Sequence, residues 1–344
     1  MIKALALYQD GSGCDYHRLV LPFQYEDGYI DHEYKNRSDF DMDTQLAASE
    51  LVVWNRDCPI GLSYITELKA RYGFKVVVDL DDHWELYPHH YLYNRYQRQR
   101  IPELIIKNLQ LADAITVTTS RLADKVKPIN PNVHVIPNAL PYGFGQFQAK
   151  RVPADIFRFI YAGQRSHLHD LKQLQGPLRR IASEQHRNMG FTLAGYNHHS
   201  EDRTSTWPKM EQIFSAGGAM IGYQRVENKP LGEYMTVYEN SDACLVPLEG
   251  NAFNAHKSNL KLLEAGAKTL PVICQKVPPY SDCDAPVLWV ERQTDWYKHI
   301  RYLAANRSAA EDLGLQLHDW AVSNYNIFDH NKTRFELYTH IINS

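Results

Sequence analysis

Short apolar runs alternate with segments of helical spacing along most of the chain. In the first half, five runs predict strands: IKALALY (2–8), LVVW (51–54), KVVVDL (75–80), AITVT (114–118) and VHVIP (133–137). Between them, GLSYITELKARYG (61–73) and IPELIIKNLQLAD (101–113) have helical spacing, with turn residues at their ends. Continuous apolar strands separated by helices are typical of a parallel sheet that is covered on both faces.

A second alternating series follows a stretch rich in Gly, Pro and polar residues. That stretch, ALPYGFGQFQAKRVPAD (139–155), is the predicted linker. The strands predicted after it are FRFIYAG (157–163), FTLAG (191–195), AMIGY (219–223), ACLVPL (243–248), LPVICQ (270–275) and PVLWV (286–290). We therefore expect an α/β chain of two tandem, doubly wound, Rossmann-like domains. The expected bounds are 1–145 for the N-terminal domain, 146–320 for the C-terminal domain, and 321–344 for a C-terminal helix that packs back on the first.

The composition and charge of the chain indicate what kind of protein it is. The 344 residues are 44% hydrophobic and 22% charged, as in a globular protein, and the formal net charge is −3. The chain has no overall positive charge that would attract nucleic acid, so nucleic-acid binding would need a local basic patch. Five scattered cysteines show neither a CxxC pair nor a disulfide framework, which favours a reducing compartment. The N-terminus reads as a strand rather than a signal peptide, and we expect a soluble, cytoplasmic protein.

Candidate site residues follow the predicted strands, because open parallel sheets bind ligands where their strands end. After ACLVPL, a loop leads into the helix SNLKLLEAGA, where Lys257, Lys261 and Glu264 share one face. A helix start favours an anion. A diphosphate near Lys257 and Ser258, with a ribose beside Glu264, would use these groups. The alternative is an ordinary amphipathic helix with a Ser258 N-cap and a surface Lys261–Glu264 pair.

A second strand-end loop, YAGQRSHLHDL (161–171), opens the C-terminal domain. Gly163 would let a ligand approach the backbone, and the planar guanidinium of Arg165 suits phosphate oxygens. For His167 and His169 the alternative is local capping in a solvated turn.

These segments resemble family 4 glycosyltransferases, which have the GT-B fold. The likeness lies in SDACLVPL through KSNLKLLEAGAKTLPVICQ, in YAGQRSHLHDL, and in VIPNALP (135–141), which is similar to the start of the family's interdomain linker. It is strong over 135–275 and loose elsewhere. It implies two domains that face a cleft, with a donor site formed by Gly163, Arg165, His256, Lys257, Ser258, Asn259 and Glu264. Family members carry two glutamates here; Glu264 matches the second, and His256 stands at the position of the first.

By the same resemblance, the first domain holds the acceptor. We expect catalytic, acceptor-orienting roles for Asp81, Asp82 and His17, with Gly13, Arg18, Arg56 and His83 on the acceptor side. For the segment of Gly13, His17 and Arg18 the alternative is a flexible loop with a solvated arginine. The alternative for the acidic DLDD segment is a helix N-cap cluster. A DxD pair also suggests a metal, but that motif belongs to the other major glycosyltransferase fold. The resemblance therefore implies no metal and no other cofactor.

One segment, residues 87–107, interleaves tyrosines with Arg95, Arg98, Arg100 and Lys107. This composition suits nucleic acid, and it suits an anionic membrane surface equally. A solvated, Tyr-rich helix face is the third interpretation. Arg95 and Arg98 are candidates for the acceptor side, and a peripheral membrane contact stays open.

The expected activity is transfer of a hexosyl or pentosyl group from a nucleotide diphosphate sugar. The acceptor is a glycan, a lipid-linked saccharide or a modified DNA base, and the family likeness implies retention of configuration. Two alternatives are a non-catalytic nucleotide-sugar or nucleic-acid binding module and a sugar-phosphate epimerase of the same fold.

Overall fold

The computed structural model describes residues 2–9, 12–26, 28, 30–36, 42–150, 152, 155–197 and 206–344. The chain divides into two compact units. Unit 1 comprises Met1–Pro141, Ala255–Ser258 and Tyr325–Ser344, and unit 2 comprises Tyr142–Asn254 and Asn259–Asn324. Unit 1 thus takes in both the last helix and a short segment from the middle of the second half of the chain.

Unit 1 is built on a parallel sheet. Its described strands are β1 (Ile2–Tyr8), β2 (Ile30–Asn36), β3 (Leu51–Asn55), β4 (Lys75–Leu80), β5 (Ala114–Val117) and β6 (Val133–Val135). Their order is β2-β1-β3-β4-β5-β6. The sequence did not predict β2, because its segment IDHEYKN is largely polar. An edge strand pairs on one side only, so it does not need the apolar residues that identify a central strand.

Unit 2 contains a second parallel sheet of six described strands. They are β7 (Phe157–Ala162), β8 (Met189–Tyr196), β9 (Tyr223–Glu227), β10 (Ala243–Val246), β11 (Val272–Gln275) and β12 (Leu288–Val290), in the order β12-β11-β10-β7-β8-β9. The prediction of a strand at 219–223 is wrong except for its last residue. Met220 is buried, so this apolar run contributes to the core from a turn, and the edge strand β9 begins at Tyr223.

Helices connect the strands. The described α-helices are α1 (Gly13–Asp15), α2 (Leu21–Gln24), α3 (Met42–Ala48), α4 (Leu62–Tyr72), α5 (Tyr93–Arg98), α6 (Ile101–Leu111), α7 (Ser120–Val126), α8 (Leu168–Leu171), α9 (Gln175–Ser183), α10 (Thr206–Phe214), α11 (Leu260–Ala267), α12 (Gln293–Ala305), α13 (Arg307–Tyr325) and α14 (Ile327–Asn343). A π-helical turn, Tyr16–Val20, joins α1 to α2, and a 3-10 helix, Leu231–Tyr238, lies between β9 and β10. No helix among the described residues is both long enough and apolar enough to cross a membrane.

Both faces of the first sheet are covered, as its apolar strands predict. Every residue of β3 is buried. One face packs against α4, α6 and α7. The other packs against α2 and α14, where Phe335, Tyr338 and Ile341 contact a cluster that includes Ala4 and Phe23. The C-terminal helix is therefore part of the core of unit 1.

Candidate functional site

A polar cluster lies in unit 1 where β3 and β4 end. The cluster adjoins the switch point of this sheet, because β1 has β2 on one side and β3 on the other, and open α/β sheets bind ligands at such a point. Arg56 follows β3, and Asp81 and Asp82 follow β4. The Nε of Arg56 donates to Oδ1 of Asp81 at 2.9 Å, and its Nη2 donates to Oδ2 of Asp82 at 3.2 Å. The structure thus brings together three residues that the sequence placed on the acceptor side.

Charges in this cluster stabilise one another. Burial alone would lower the pKa of Arg56, but Asp81, Cys14 and Asp82 raise it well above its ordinary value. Burial would raise the pKa of Asp81, and the nearby Arg56 reverses this and lowers it. Arg56 also has a backbone φ of 57°, a left-handed conformation that is uncommon outside glycine and is typical of functional turns. Asp81 is therefore an ionised carboxylate held by a fixed, half-buried cation.

The segment Ala255–Ser258 extends the cluster. Nζ of Lys257 lies 3.1 Å from Oδ2 of Asp82, and Oγ of Ser258 accepts a hydrogen bond from Nδ2 of Asn138 at 2.7 Å. The helix begins only at Leu260, with Asn259 at the N-cap position and no side-chain cap. The interpretation of Ser258 as an N-cap is wrong, because its hydroxyl accepts from Asn138 instead.

His256 and His83 lie against each other in unit 1, with ring centroids 4.8 Å apart. His83 also stacks on Trp84, and its Nδ1 accepts the backbone N–H of Glu85 at 2.9 Å. Burial lowers the pKa of His83, and the neighbouring His256 lowers it further. The residue at the position of the family's first glutamate thus contacts a predicted acceptor-side residue.

Arg18 is 1% exposed, which argues against the expected contact with an acceptor. Its Nε and Nη2 donate to the two carboxylate oxygens of Asp79, each at 2.8 Å, and its Nη1 donates to Asn138 at 3.2 Å. Thr116 donates a further hydrogen bond to Asp79 at 2.6 Å. The sequence pattern could not distinguish this buried Arg18–Asp79 pair from a ligand-binding site, because both place charged residues near the end of a strand.

The remaining unit 1 candidates after β1 are Gly13 and His17. Gly13 is the first residue of α1, and a Cβ added there would meet no atom within 4 Å. His17 lies on the π-helical turn, where its ring packs edge-on against Tyr16. Ser12 caps α1, since its Oγ accepts the backbone N–H of Asp15 at 3.2 Å.

In unit 2, the order of the second sheet reverses between β7 and β10. Asp170, which is 2% exposed, joins the loops that follow these two strands. Its Oδ2 lies 2.7 Å from Nδ1 of His167, and its Oδ1 accepts from the backbone of Glu249 at 2.7 Å and from Asn254 at 3.2 Å. Sequence reasoning missed Asp170, although the three-residue spacing from His167 on a helical segment is a usable signal.

Gly163 and Arg165 lie on the loop after β7. A Cβ on Gly163 would come within 2.4 Å of the hydroxyl of Tyr161, so packing within the unit already requires glycine. Arg165 is half-buried and opens a short 3-10 turn. A separate cavity of about 590 Å³ has His169, Lys172, Glu249 and Gln275 in its wall and includes neither Gly163 nor Arg165. This volume is in the range of small-molecule sites.

Glu264 is buried in a hydrogen-bonded network on α11. Its Oε2 accepts from the hydroxyl of Tyr238 and from Nζ of Lys261, both at 2.8 Å, and Lys261 also donates to Tyr234 at 2.8 Å. Burial alone would lower the pKa of Lys261, but Glu264 and Tyr234 raise it. The alternative of a surface Lys261–Glu264 pair is wrong, because Glu264 is only 2% exposed.

No protein-family model matches the sequence. No curated protein sequence matches it significantly. Solved structures do match. HepE from Anabaena, in complex with UDP and glucose, has 13% identity, covers 99% of this chain and 100% of its own, and has a TM-score of 0.70. Sucrose-phosphate synthase from Thermosynechococcus elongatus has 13% identity, 99% coverage of both chains and a TM-score of 0.67. A UDP-forming trehalose-phosphate synthase from Burkholderia xenovorans has 10% identity, covers 100% and 99%, and has a TM-score of 0.65.

This chain has the GT-B fold. The fold prediction is confirmed: both sheets are parallel and Rossmann-like, and the match extends over nearly the whole chain.

In this GT-B chain, the basic segment 87–107 adjoins the unit 1 cluster. The helix α5, all of whose residues are described, buries none of them, and Arg95 and Arg98 are exposed. Both side chains form local hydrogen bonds, Arg95 to Gln99 and Arg98 to a backbone carbonyl one turn earlier. Burial raises the pKa of Tyr96 on the same helix, and the charges of Arg56 and Asp82 also act on it. Tyr96 therefore lies near the candidate acceptor residues Arg56 and Asp82, on the same helix as the two exposed arginines.

Over the part of the GT-B chain that the structure describes, no group of three or more His, Cys, Asp or Glu side chains is arranged to hold a metal ion. The carboxylates of the DLDD segment are instead paired with side chains of the protein. Asp79 binds Arg18, and Asp81 and Asp82 bind Arg56.

Proposed function

We propose that this chain is a retaining, metal-independent glycosyltransferase that uses a nucleotide diphosphate sugar as donor. The observation that carries the proposal is the GT-B fold over the whole chain together with the polar groups at the switch point of each sheet. A solved structure of this fold, HepE, is a complex with UDP and glucose. That likeness supports a nucleotide sugar as the donor class for this chain.

Unit 2 supplies the groups that suit the donor. The cavity of about 590 Å³ has the size of a nucleotide site, and Lys172 in its wall is a cation for a phosphate. Arg165, on the loop after β7, adds a planar donor for phosphate oxygens. The leaving diphosphate gains negative charge as the glycosidic bond breaks, and cations placed before the reaction stabilise that charge. Glu264 is the candidate acceptor of the ribose hydroxyl hydrogen bonds, and because it is only 2% exposed, a ribose would reach it by displacing Tyr238 or Lys261 from its Oε2.

Unit 1 supplies the groups that suit the acceptor. Asp81 is held ionised by Arg56 and can accept a hydrogen bond from an acceptor hydroxyl. Asp82 is shared between Arg56 and Lys257. A phosphate of the donor would compete with Asp82 for the Lys257 ammonium, so Lys257 stays a candidate donor contact as well. The exposed arginines of α5 support an acceptor that carries negative charge.

Calorimetry with UDP and GDP tests the donor site. We expect Arg165→Ala and Lys257→Ala each to weaken binding about ten-fold or more, since a charge-assisted contact contributes roughly 1.5–3 kcal/mol. Arg179→Ala, which removes an exposed arginine of the same unit, is the matched control and should bind as the wild type does. Unchanged affinity in both site variants, with the fold intact, would contradict the proposed phosphate contacts.

Glu264→Gln separates the ribose contact from the phosphate contact. We expect it to weaken UDP and to leave inorganic diphosphate unaffected, because only the ribose would lose its partner. Equal weakening of both ligands would mean that the substitution disturbs the helix rather than a ribose contact.

Catalysis is tested by measuring nucleotide release from a panel of nucleotide sugars with and without acceptors. Acceptor-stimulated release supports a transferase. Binding without release would favour the non-catalytic module, and interconversion of the sugar without an acceptor would favour an epimerase.

A further inference from the structure

His167 and Asp170 form a hydrogen-bonded pair at the switch point of the second sheet. His167 follows β7, and Nδ1 of its ring lies 2.7 Å from Oδ2 of Asp170. The other oxygen of Asp170 accepts from the backbone of Glu249 and from the side chain of Asn254, both in the segment after β10. The strand order reverses between β7 and β10, and open α/β sheets bind ligands in the crevice at such a point.

The two members of the pair differ in exposure. The side chain of Asp170 is 3% exposed, so its carboxylate is closed to a ligand, whereas the side chain of His167 is 25% exposed. Tyr161 packs edge-on against the imidazole, with 6.5 Å between the ring centroids. His167 occupies the N-cap position of α8, but its side chain forms no capping hydrogen bond, so the interpretation of this histidine as a local cap is wrong.

The bond to Asp170 determines which ring nitrogen faces a ligand. A carboxylate only accepts hydrogen bonds, so this bond places a proton on Nδ1. Within the part of the chain that the structure describes, Nε2 of His167 forms no hydrogen bond, and the protein does not enclose this atom. Nε2 is therefore the nitrogen that a ligand can reach. It accepts a hydrogen bond when the ring is neutral and donates one when the ring is protonated.

Phosphate is the ligand group that best matches this arrangement. An imidazolium between Asp170 and a phosphate meets a negative group at each nitrogen, and charge-assisted hydrogen bonds of this kind are strong. Arg165, the candidate phosphate contact, lies two residues earlier in the same 3-10 turn. We propose that His167 is a further donor-site residue, whose Nε2–H donates to a phosphate oxygen of the nucleotide diphosphate sugar. Asp170 is its positioning residue, and the inference rests on the proposed function.

Calorimetry on the whole chain with UDP, inorganic diphosphate and uridine tests the assignment. We expect His167→Gln to weaken UDP and inorganic diphosphate about ten-fold and to leave uridine unchanged, because glutamine offers an N–H without the charge. His186→Gln is the matched control. His186 also lies 2.7 Å from a carboxylate, that of Glu184, and its side chain is 22% exposed. This control should bind all three ligands as the wild type does.

The pH dependence of UDP affinity gives a readout that a change in packing would not produce. The groups around the ring are Asp170 at Nδ1, Tyr161 against its edge and Arg165 in the same turn. Only a protonated ring donates from Nε2, so the advantage of the wild type over His167→Gln should shrink as the pH rises from about 6 to about 9. Asp170→Asn, with its fold checked by thermal unfolding, should also weaken UDP, because it removes the negative group behind the ring.

Two results would overturn the assignment while the proposed function stands, provided that Arg165→Ala still weakens UDP. One is a His167→Gln variant that binds UDP as the wild type does, or whose loss of affinity is the same at every pH. The other is a loss confined to UDP-glucose, which would mean that Nε2 accepts from a sugar hydroxyl instead of donating to phosphate. A wild-type chain that binds neither UDP nor GDP would contradict the proposed function, and this assignment with it.

Discussion

Asp15 is an acid that the fold buries without a cation of its own. It is 7% exposed, and its Oδ2 accepts the backbone N–H of Gln9 at 2.7 Å. Burial is the largest cause that raises its pKa, from 3.8 to about 6, and the nearby Asp81 adds to the increase. Between these two values the folded chain binds a proton that the unfolded chain has released, so this group makes the protein less stable as the pH rises.

Asp15→Asn should therefore stabilise the protein at pH 7 and should have little effect at pH 4, where Asp15 is protonated in the folded chain. The difference between 3.8 and about 6 corresponds to at most about 3 kcal/mol. Urea unfolding of both proteins from pH 4 to pH 8 measures it. A stabilisation that does not depend on pH, or a loss of stability at pH 7, would contradict the assignment.

Arg18 and Asp79 illustrate how a charged residue can serve the core. Both are 1% exposed, so removing either residue would leave the charge of the other buried without a partner. We expect Arg18→Met to cost about 3–5 kcal/mol of unfolding free energy. The double variant Arg18→Met with Asp79→Leu should recover most of that loss, because no uncompensated charge remains. A double variant that is less stable than Arg18→Met would show that other contacts of Asp79, such as the one with Thr116, dominate.

At the scale of the element, α5 is more typical of a helix that binds a ligand than of one that packs into the core, since none of its residues is buried. If it binds a polyanion, each neutralised phosphate contributes about 0.7–0.9 to the slope of log affinity against log salt. Replacing Arg95, Arg98 and Arg100 with Ala should flatten that slope by roughly two to three. Salt titrations on DNA and on anionic vesicles measure it.

Three exposed cations of unit 2 provide the control for this experiment: Arg179, Lys209 and Lys298. Their triple Ala variant should keep the wild-type slope. If the α5 variant loses binding to DNA alone, the result favours a nucleic-acid acceptor. If it loses binding to vesicles alone, the result favours a lipid-linked acceptor. Weak binding to both that the α5 variant leaves unaltered would mean that the helix is only a solvated surface.

At the scale of the whole molecule, both units place polar groups near the switch point of a parallel sheet, and in unit 1 the carboxylates there are paired with side-chain cations. Arg56 and Lys257 meet Asp82, and Arg56 meets Asp81. We expect donor binding and nucleotide release to persist in EDTA, because these carboxylates need no metal for charge balance. Complete loss on chelation, restored by Mn²⁺ or Mg²⁺, would favour a metal site at the DLDD segment.

Much of the fold could be predicted from the sequence because central strands of a parallel sheet are buried on both faces. Runs such as LVVW and KVVVDL fit few structures other than a buried central strand. The edge strands β2 and β9 were missed or misplaced, since a strand that pairs on one side tolerates polar residues. Strand ends were also predictable as candidate sites, and Arg56, Asp81 and Asp82 do lie together there.

The role of each charged residue depended on the tertiary structure. Arg18 and Arg56 are both arginines near a strand end, yet one is enclosed with Asp79 and the other is half-buried beside Asp81 and Asp82. Glu264 and Lys261 have the spacing of a surface pair, and only the packing of Tyr238 against them makes the pair internal. The spacing of apolar residues along the sequence indicates which face of a helix or strand is apolar. Which other element covers that face is decided by contacts between residues far apart in the chain, and those contacts determine whether a charge meets water, a ligand or a buried partner.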